Sequence, residues 1–412
     1  MGRSDMTARV RSPRAALVGI CCFVLVVGAW NALRFPPGMG YDGAGHMLYA
    51  DDFVPGGRIP PRSDHEAYIP PGYYAVAGSL DWVARKLGVG EPHRAGQALN
   101  VLFLLGTVLL VWRLARELWP DRGRLALGAA AFVALLPVTV KATAMFHPEP
   151  MSMFLSALAL WLCVRSFGDG RYVVPLGLTL GLAQLVRTFA LGTVVAVAIA
   201  LLVARRFRAL ALVLVLAAAI PAAWYVHQAH VYGNPLAYSR PTPSTPFLER
   251  RPARFYVDPG LPDVFAAPYR PHVLNLAWPT TYDELWGDYF GVWAWKAPQP
   301  PPRHRLQLQT VVGVLPTLLA VGGLVALLLA SLRSPPRLAV TLAPLVVLLG
   351  YLYFAVSYPS NDGDDLKATY MLTATAGWAL GFGYALERLR WRWLAALLAL
   401  CALAELPFLF YG

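Results

Sequence analysis

Charge is scarce in this 412-residue chain: Asp, Glu, Lys and Arg make up 14% of it, against 57% hydrophobic residues. Soluble domains carry about a quarter charged residues, so this composition excludes one and points to a chain whose main solvent is the bilayer. Cysteine is scarcer still. Cys21, Cys22, Cys163 and Cys401 all fall inside hydrophobic stretches, with neither the framework of a disulfide scaffold nor the spacing of a metal site. No basic face interleaved with stacking aromatics occurs, so the net charge of +12 does not signal nucleic-acid binding. Long internal repeats are also missing, which leaves an inverted-repeat transporter without positive support.

What the chain does have is a succession of hydrophobic stretches of roughly 16 to 25 residues, each long enough to cross the hydrocarbon as a helix. They lie near 15–33, 95–114, 125–143, 150–165, 172–186, 189–204, 209–227, 308–331, 338–356, 368–386 and 393–410. The division within 172–204 is ambiguous, and 70–87 reads as a candidate surface-lying segment. The first stretch follows arginines, as a signal peptide would. It runs through Trp30 without a small-residue cleavage site, which favours a retained anchor. The expected fold is therefore an all-α polytopic membrane protein of about eleven transmembrane helices in a single domain spanning 1–412. The sequence stops at Tyr411-Gly412, and no C-terminal soluble domain is expected.

The arginines set an orientation. Arg3, Arg9, Arg11 and Arg14 precede the first stretch; Arg113, Arg116, Arg122 and Arg124, then Arg165 and Arg171, then Arg205, Arg206 and Arg208, then Arg333 and Arg337, then Arg388, Arg390 and Arg392 occupy alternate connections. The positive-inside rule assigns all of these to the cytoplasm, with the N-terminus inside and the C-terminus outside. Segments 34–94 and 228–307 then become two long external loops, rich in Pro, Tyr, Trp and charge, that roof a polar cavity. Enrichment in Arg, Ala, Leu, Val, Gly and Pro fits a high-GC bacterium, hence the plasma membrane. Gly177 and Gly181 carry the small-xxx-small spacing of close helix packing.

Two polar clusters interrupt the apolar pattern: Tyr41-Asp42-Gly43-Ala44-Gly45-His46 after the first stretch, and His147-Pro148-Glu149-Pro150 before another. Ionisable groups at a membrane surface cost several kcal/mol unless paired or hydrated, so such clusters suggest a site. Pro148 and Pro150 suit the first turn of a helix, placing Glu149 at its positive end. His46, four residues after Asp42, shares its face if 43–51 is helical. Asp42, His46, His147 and Glu149 can supply ligands to a divalent ion, although no compact spacing demonstrates one, and the cofactor is left open. Each residue also has a plain reading: Asp42 and Glu149 as helix caps, His46 as an interfacial histidine.

With Tyr68-Ile69-Pro70-Pro71-Gly72-Tyr73-Tyr74 between them, and Trp286-Gly287-Asp288 and Lys367-Ala368-Thr369-Tyr370 further on, these motifs in this order resemble the GT-C glycosyltransferases, in particular the protein mannosyltransferase and aminoarabinose transferase branch. The resemblance covers chiefly 15–190. It implies an inverting transfer of a sugar from a polyprenyl-phosphate donor to a glycan, lipid or protein acceptor, with Asp42 as catalytic base. Beside that role, residue chemistry makes His46, His147 and Glu149 candidate substrate contacts, and Lys141 and Arg187, cations the positive-inside rule does not explain, candidates for the lipid phosphate; Lys367 joins them, its Lys-x-x-Tyr pattern with Tyr370 resembling a family segment near the lipid donor, and Asp288 with Trp286 is placed on the acceptor side. Snorkelling from helix ends is the plain alternative for the three cations. A secondary transporter or lipid flippase, and a non-catalytic polyprenyl-lipid-binding bundle, are the competing functions; the first would need broken helices and ionisable groups near mid-membrane, whereas here the charges cluster at the expected external edge.

Overall fold

In the computed structural model, residues 13–64, 66–237, 243–296 and 299–412 are described; Arg3, Arg9 and Arg11 lie outside them. Every regular element among the described residues is helical. The first is α1 (Pro13–Arg34), followed by two helices of the first long loop, α2 (Gly43–Phe53) and α3 (Gly72–Lys86). Then come α4 (Arg94–Leu118), α5 (Gly123–Leu135), α6 (Pro137–Ala144), α7 (Glu149–Ser166), α8 (Val173–Val186), α9 (Leu191–Val203), α10 (Phe207–Ala219) and α11 (Ala222–Tyr232). The second long loop holds α12 (Ala253–Val257), α13 (Asp263–Ala266) and α14 (Ala277–Trp286), and α15 (Arg303–Ser331), α16 (Pro335–Ser357), α17 (Thr375–Leu386) and α18 (Trp391–Leu409) complete the order.

A helix stands at each of the eleven expected places, but the count of full spans is smaller. Among the described residues, five helices are long and apolar enough to cross a membrane, and up to seven if each bent pair is one span. Two expected single spans are broken: α5 and α6 meet at 50° and α10 and α11 at 53°. Proline explains both breaks, since Pro137 is the first residue of α6 and Pro221 directly precedes α11, and a residue without an N–H can start a helix but not continue one. The stretch expected at 368–386 opens as a 3₁₀ turn over Ala368–Ala374 and leaves only 12 residues of α-helix.

Small residues let the bundle close. In α17, Gly381 faces the backbone of α15 at Ala320 and Leu324, and Gly383 faces the backbone of α5 at Leu125, with no room for a Cβ at either. Gly177 and Gly181 do the same for α8 against Val213 and Leu216 of α10 and Ile220 at its C-terminal end, the packing role their spacing suggested. The arginine-bearing connections meet at one end: Arg165 pairs with Glu117 at 3.0 Å, Arg206 donates to the carbonyls of Ser166 and Phe167, and Arg337 donates to that of Leu118. The polar clusters gather elsewhere, where the 34–94 and 228–307 segments fold over the helix ends.

Candidate active site

Three residues of α4 clamp the two polar loops together. Arg94 donates from Nη1 to the carbonyls of Ala32 and Phe35 at 2.8 and 2.6 Å. Gln97 Nε2 bridges the carbonyls of Phe35 and Ala144, and Asn100 Nδ2 reaches those of Met145 and His147 at 2.9 and 3.0 Å. The loop after α1 is thereby pinned beside the loop between α6 and α7. Asp42 closes the first loop in the left-handed backbone region, at φ 52°. Among L-residues Asp and Asn reach that region most readily. Although Asp42 occupies the N-cap position of α2, its side chain makes no capping hydrogen bond. Its carboxylate instead lies 2.6 Å from Lys367 Nζ, and Lys367 in turn sits 3.0 Å from Asp364. Burial alone would push the Lys367 ammonium down; Asp42 and Asp364 outweigh it and hold the group above the usual lysine range.

The expected helix over 43–51 forms and turns His46 inward, where Nδ1 lies 2.6 Å from the Tyr74 hydroxyl. His147 packs edge-on against it, ring centroids 4.6 Å apart. Burial pushes His46 down to about 3 against the pull of Asp42, with Arg187 and Lys367 adding to the depression. His147 falls well below the histidine range for the same leading reason, helped by His46, Arg187 and Lys367. Both imidazoles are thus neutral hydrogen-bonding groups, not phosphate-binding cations. As the Pro-Glu-Pro pattern suggested, α7 begins at Glu149. Oε1 of Glu149 accepts from both Nε and Nη2 of Arg187 at 2.6 Å, an ion pair buried at the helix start.

Arg187 links this polar cluster to an apolar groove. Its guanidinium lies 5.6 Å from the ring centroid of Tyr370, and Tyr370 stacks on Phe189 at 5.1 Å. Phe189, Leu191, Val195, Val347, Tyr353 and Phe354 help line a groove of about 410 Å³ between α9 and α16. On the other side of Asp42 a second cavity, of about 570 Å³, is walled by Asp42, Tyr49, Asp64 and Glu66 and floored by Gly38, Gly40, Gly43, Ala44 and Gly45. Glu66 was not among the residues singled out from the sequence.

Lys141 and Asp288 have a different setting. Lys141 is fully buried, its ammonium enclosed by the Glu284 carboxylate and by the carbonyls of Glu284 and Gly287 at 3.1 and 2.7 Å. Tyr41 donates its hydroxyl to the same Glu284 carboxylate. Asp288 accepts the backbone N–H groups of Val292, Trp293 and Ala294 at 3.0, 2.9 and 2.6 Å and so builds the turn after α14. Trp286 is buried as well, donating Nε1 to Thr317 at 2.8 Å. None of Lys141, Asp288 and Trp286 lines the cavity in front of Asp42. Among the described residues, no three His, Cys, Asp or Glu side chains converge as a metal site, so Asp42, His46, His147 and Glu149 do not form the cation cage their residue types allow.

Residues 82–225 match the Dolichyl-phosphate-mannose-protein mannosyltransferase family, a stretch that includes Lys141, His147, Glu149 and Arg187 but neither Asp42 nor Lys367. No curated protein sequence matches the chain. Among solved structures it is similar to the apo Archaeoglobus fulgidus oligosaccharyltransferase, with a TM-score of 0.56 at 13% identity over 98% of this chain and 55% of that one. It is similar also to ArnT from Cupriavidus metallidurans in the apo state, with a TM-score of 0.56 at 16% identity over 94% of this chain and 63% of that one. ArnT bound to undecaprenyl phosphate gives 0.53 at 16% identity, over 94% and 62%. The chain therefore spans between about half and two thirds of the length of these proteins, and likeness at this identity shows the fold. The resemblance read from the motifs is borne out at that level.

Proposed function

For a membrane-embedded chain with the GT-C glycosyltransferase fold, matched over residues 82–225 to the protein mannosyltransferase family, we propose inverting transfer of a sugar from a polyprenyl-phosphate donor to a hydroxyl- or amine-bearing acceptor. One observation carries the reading: of the three carboxyl groups on the wall of an open cavity, Asp42 is the one paired with Lys367, and Arg187 acts on the same cluster. The acceptor enters the cavity and its oxygen or nitrogen attacks the anomeric carbon. Asp42 takes the acceptor's proton as the new bond forms, while the bond from that carbon to the phosphate oxygen breaks and its electron pair leaves with the lipid phosphate. Attack and departure on opposite faces invert the anomeric centre.

Lys367 and Arg187 are the cations placed to stabilise the departing phosphate. Lys367 is shared between Asp42 and Asp364, so a phosphate oxygen arriving beside it exchanges one anionic partner for another. The lipid tail is assigned to the groove of Phe189, Val347 and Phe354, which Tyr370 joins to Arg187. ArnT has been seen with undecaprenyl phosphate, which supports a polyprenyl ligand for this fold. His46, His147 and Glu149 position the cluster: neutral histidines avoid a surplus of cations, and Glu149 fixes the Arg187 guanidinium. Lys141 and Asp288 are assigned to the scaffold, since Lys141 is enclosed by Glu284 and the Gly287 carbonyl, Asp288 by three backbone N–H groups, and neither lines the cavity of Asp42. The cavity is placed on the external face of the plasma membrane by the arginine distribution. Cytoplasmic activity of a reporter fused at Gly57 would reverse that placement.

The test is lipid and glycan profiling of a deletion strain complemented with wild-type protein or Asp42→Asn. The deletion and the Asp42→Asn strain should both accumulate a polyprenyl-phosphate sugar and lack one glycoconjugate that the wild-type gene restores. Restoration by a correctly inserted Asp42→Asn protein would remove the base assignment.

A further inference from the structure

Glu66 faces the cavity in front of Asp42, and the transfer step gives it no part. The residue is 3% exposed, and its carboxyl makes no hydrogen bond among the described residues, although its backbone carbonyl accepts from Ile69 at 2.9 Å. The carboxyl is open to the cavity, where a ligand hydroxyl can reach it. Charge points the same way. The described lining holds three carboxyl groups, Asp42, Asp64 and Glu66, and no Lys, Arg or His. Lys367 lies behind Asp42, buried and engaged by Asp42 and Asp364, and Arg187 is engaged by Glu149; neither lines the cavity. An acceptor bearing phosphate would meet carboxyl groups at the described surface, with the nearest cation already paired. The floor, Gly38, Gly40, Gly43, Ala44 and Gly45, projects almost no side chain and leaves the backbone accessible to a flat polar molecule.

We propose that this cavity takes the acceptor as a neutral polyol, a sugar or similar hydroxyl-bearing molecule without phosphate, and that Glu66 is a positioning residue that hydrogen-bonds an acceptor oxygen other than the one attacking. The assignment rests on the glycosyl-transfer reading and specifies its acceptor class. Burial and Asp42 push the Glu66 carboxyl up to about 8, against Lys367 and Arg187 and with Asp364 adding to the rise. At neutral pH Glu66 is therefore mostly a protonated group that both donates and accepts, as a polyol hydroxyl requires, and it adds little charge beside the base.

Binding to nanodisc-reconstituted protein tests this, with methyl α-D-glucopyranoside as the neutral probe and glucose 6-phosphate as its anionic counterpart, each followed by saturation-transfer NMR. The neutral probe should bind about 10-fold or more tightly than the phosphate ester. Glu66→Ala should weaken it about 3- to 10-fold, while Glu66→Gln, which keeps the shape and a donor, should stay within about 3-fold of wild type. Wild-type affinity should change as pH passes about 8, and Glu66→Gln should abolish that change, which a merely structural role would not produce. No binding of the neutral probe, phosphate-ester binding as tight or tighter, or unchanged binding in Glu66→Ala overturns the proposal. The Asp42→Asn complementation strain separates the two claims: if it loses transfer while the probe results fail, only the acceptor assignment falls, whereas normal transfer removes the reading beneath it.

Discussion

Two buried charge networks lie within this bundle, and they differ in what they face. Around Lys141 the carboxylate of Glu284, two carbonyls and the Tyr41 hydroxyl close a shell, and the lysine is fully buried and outside the cavity that Asp42 lines. Around Asp42 the arrangement is open: Lys367 holds one side, and the other looks into about 570 Å³ of space with the carboxylate 35% exposed. From sequence both networks are charges where charge is expensive. The difference teaches that an ionisable residue at membrane depth marks a site where part of it faces a cavity; a completed shell marks a joint between segments.

The contrast can be broken most severely at the closed network. Lys141→Met strands the Glu284 carboxylate among buried groups and should cost about 3–5 kcal/mol of stability, read as loss of folded protein after extraction. The pair Lys141→Met with Glu284→Gln should recover a large part of it. A lesion that left stability intact and abolished turnover would place Lys141 in the working site. At the open network the order reverses. Asp42→Asn keeps the left-handed backbone and the fold but cannot take a proton, so turnover per folded molecule should fall by about 100-fold or more. Capping offers Asp42 no alternative role, because its side chain caps nothing.

Smaller effects sharpen the comparison further. Lys367→Met, and Arg187→Lys, which keeps charge but loses the planar guanidinium, should each raise the apparent KM for a polyprenyl-phosphate donor by about 10-fold with folding retained. Unchanged donor kinetics in both would return them to the class of Lys141. Last comes Glu66, whose folded carboxyl titrates near about 8 against 4.5 when solvated. Between those values the unfolded chain holds fewer protons, so Glu66 makes stability fall as pH rises through the window, with the full loss present above it. Glu66→Gln should flatten that slope, gaining on wild type toward alkaline pH by roughly a few degrees in unfolding midpoint.

How much of this could be read in advance depended on the range of the contact. Local signals read well: Pro-Glu-Pro marked the first turn of α7, glycine spacing marked the α8–α10 contact, and alternating arginines marked connections that do gather at one end. The number of spans read less well, because hydropathy registers apolar length but not the bends at Pro137 and Pro221. In the site, Asp42 and Lys367 were each visible, yet their pairing across 325 residues was not. Nor was the partner of Lys141, which sits 143 residues away at Glu284. Glu66 lies in a loop that looks solvated until α2 and α3 fold against it. Arg94, Gln97 and Asn100 did leave a signal: polar residues three apart on an otherwise apolar helix mark a single stripe.

The hydrogen bonds of Asn31 have a bearing on how the molecule is made. Its Nδ2 donates to the Leu409 carbonyl at 2.7 Å and its Oδ1 accepts from the Tyr411 N–H at 2.9 Å, while Lys367 completes the surroundings of Asp42. Asp42 and Lys367 are 325 residues apart, so the cation that orients the carboxylate is translated long after it. During insertion the loop after α1 therefore waits for that ion pair. The surroundings of Asp42 are complete only once Lys367 and the helix of Leu409 have docked, and a nascent chain interrupted before Lys367 would present Asp42 without the cation that orients it.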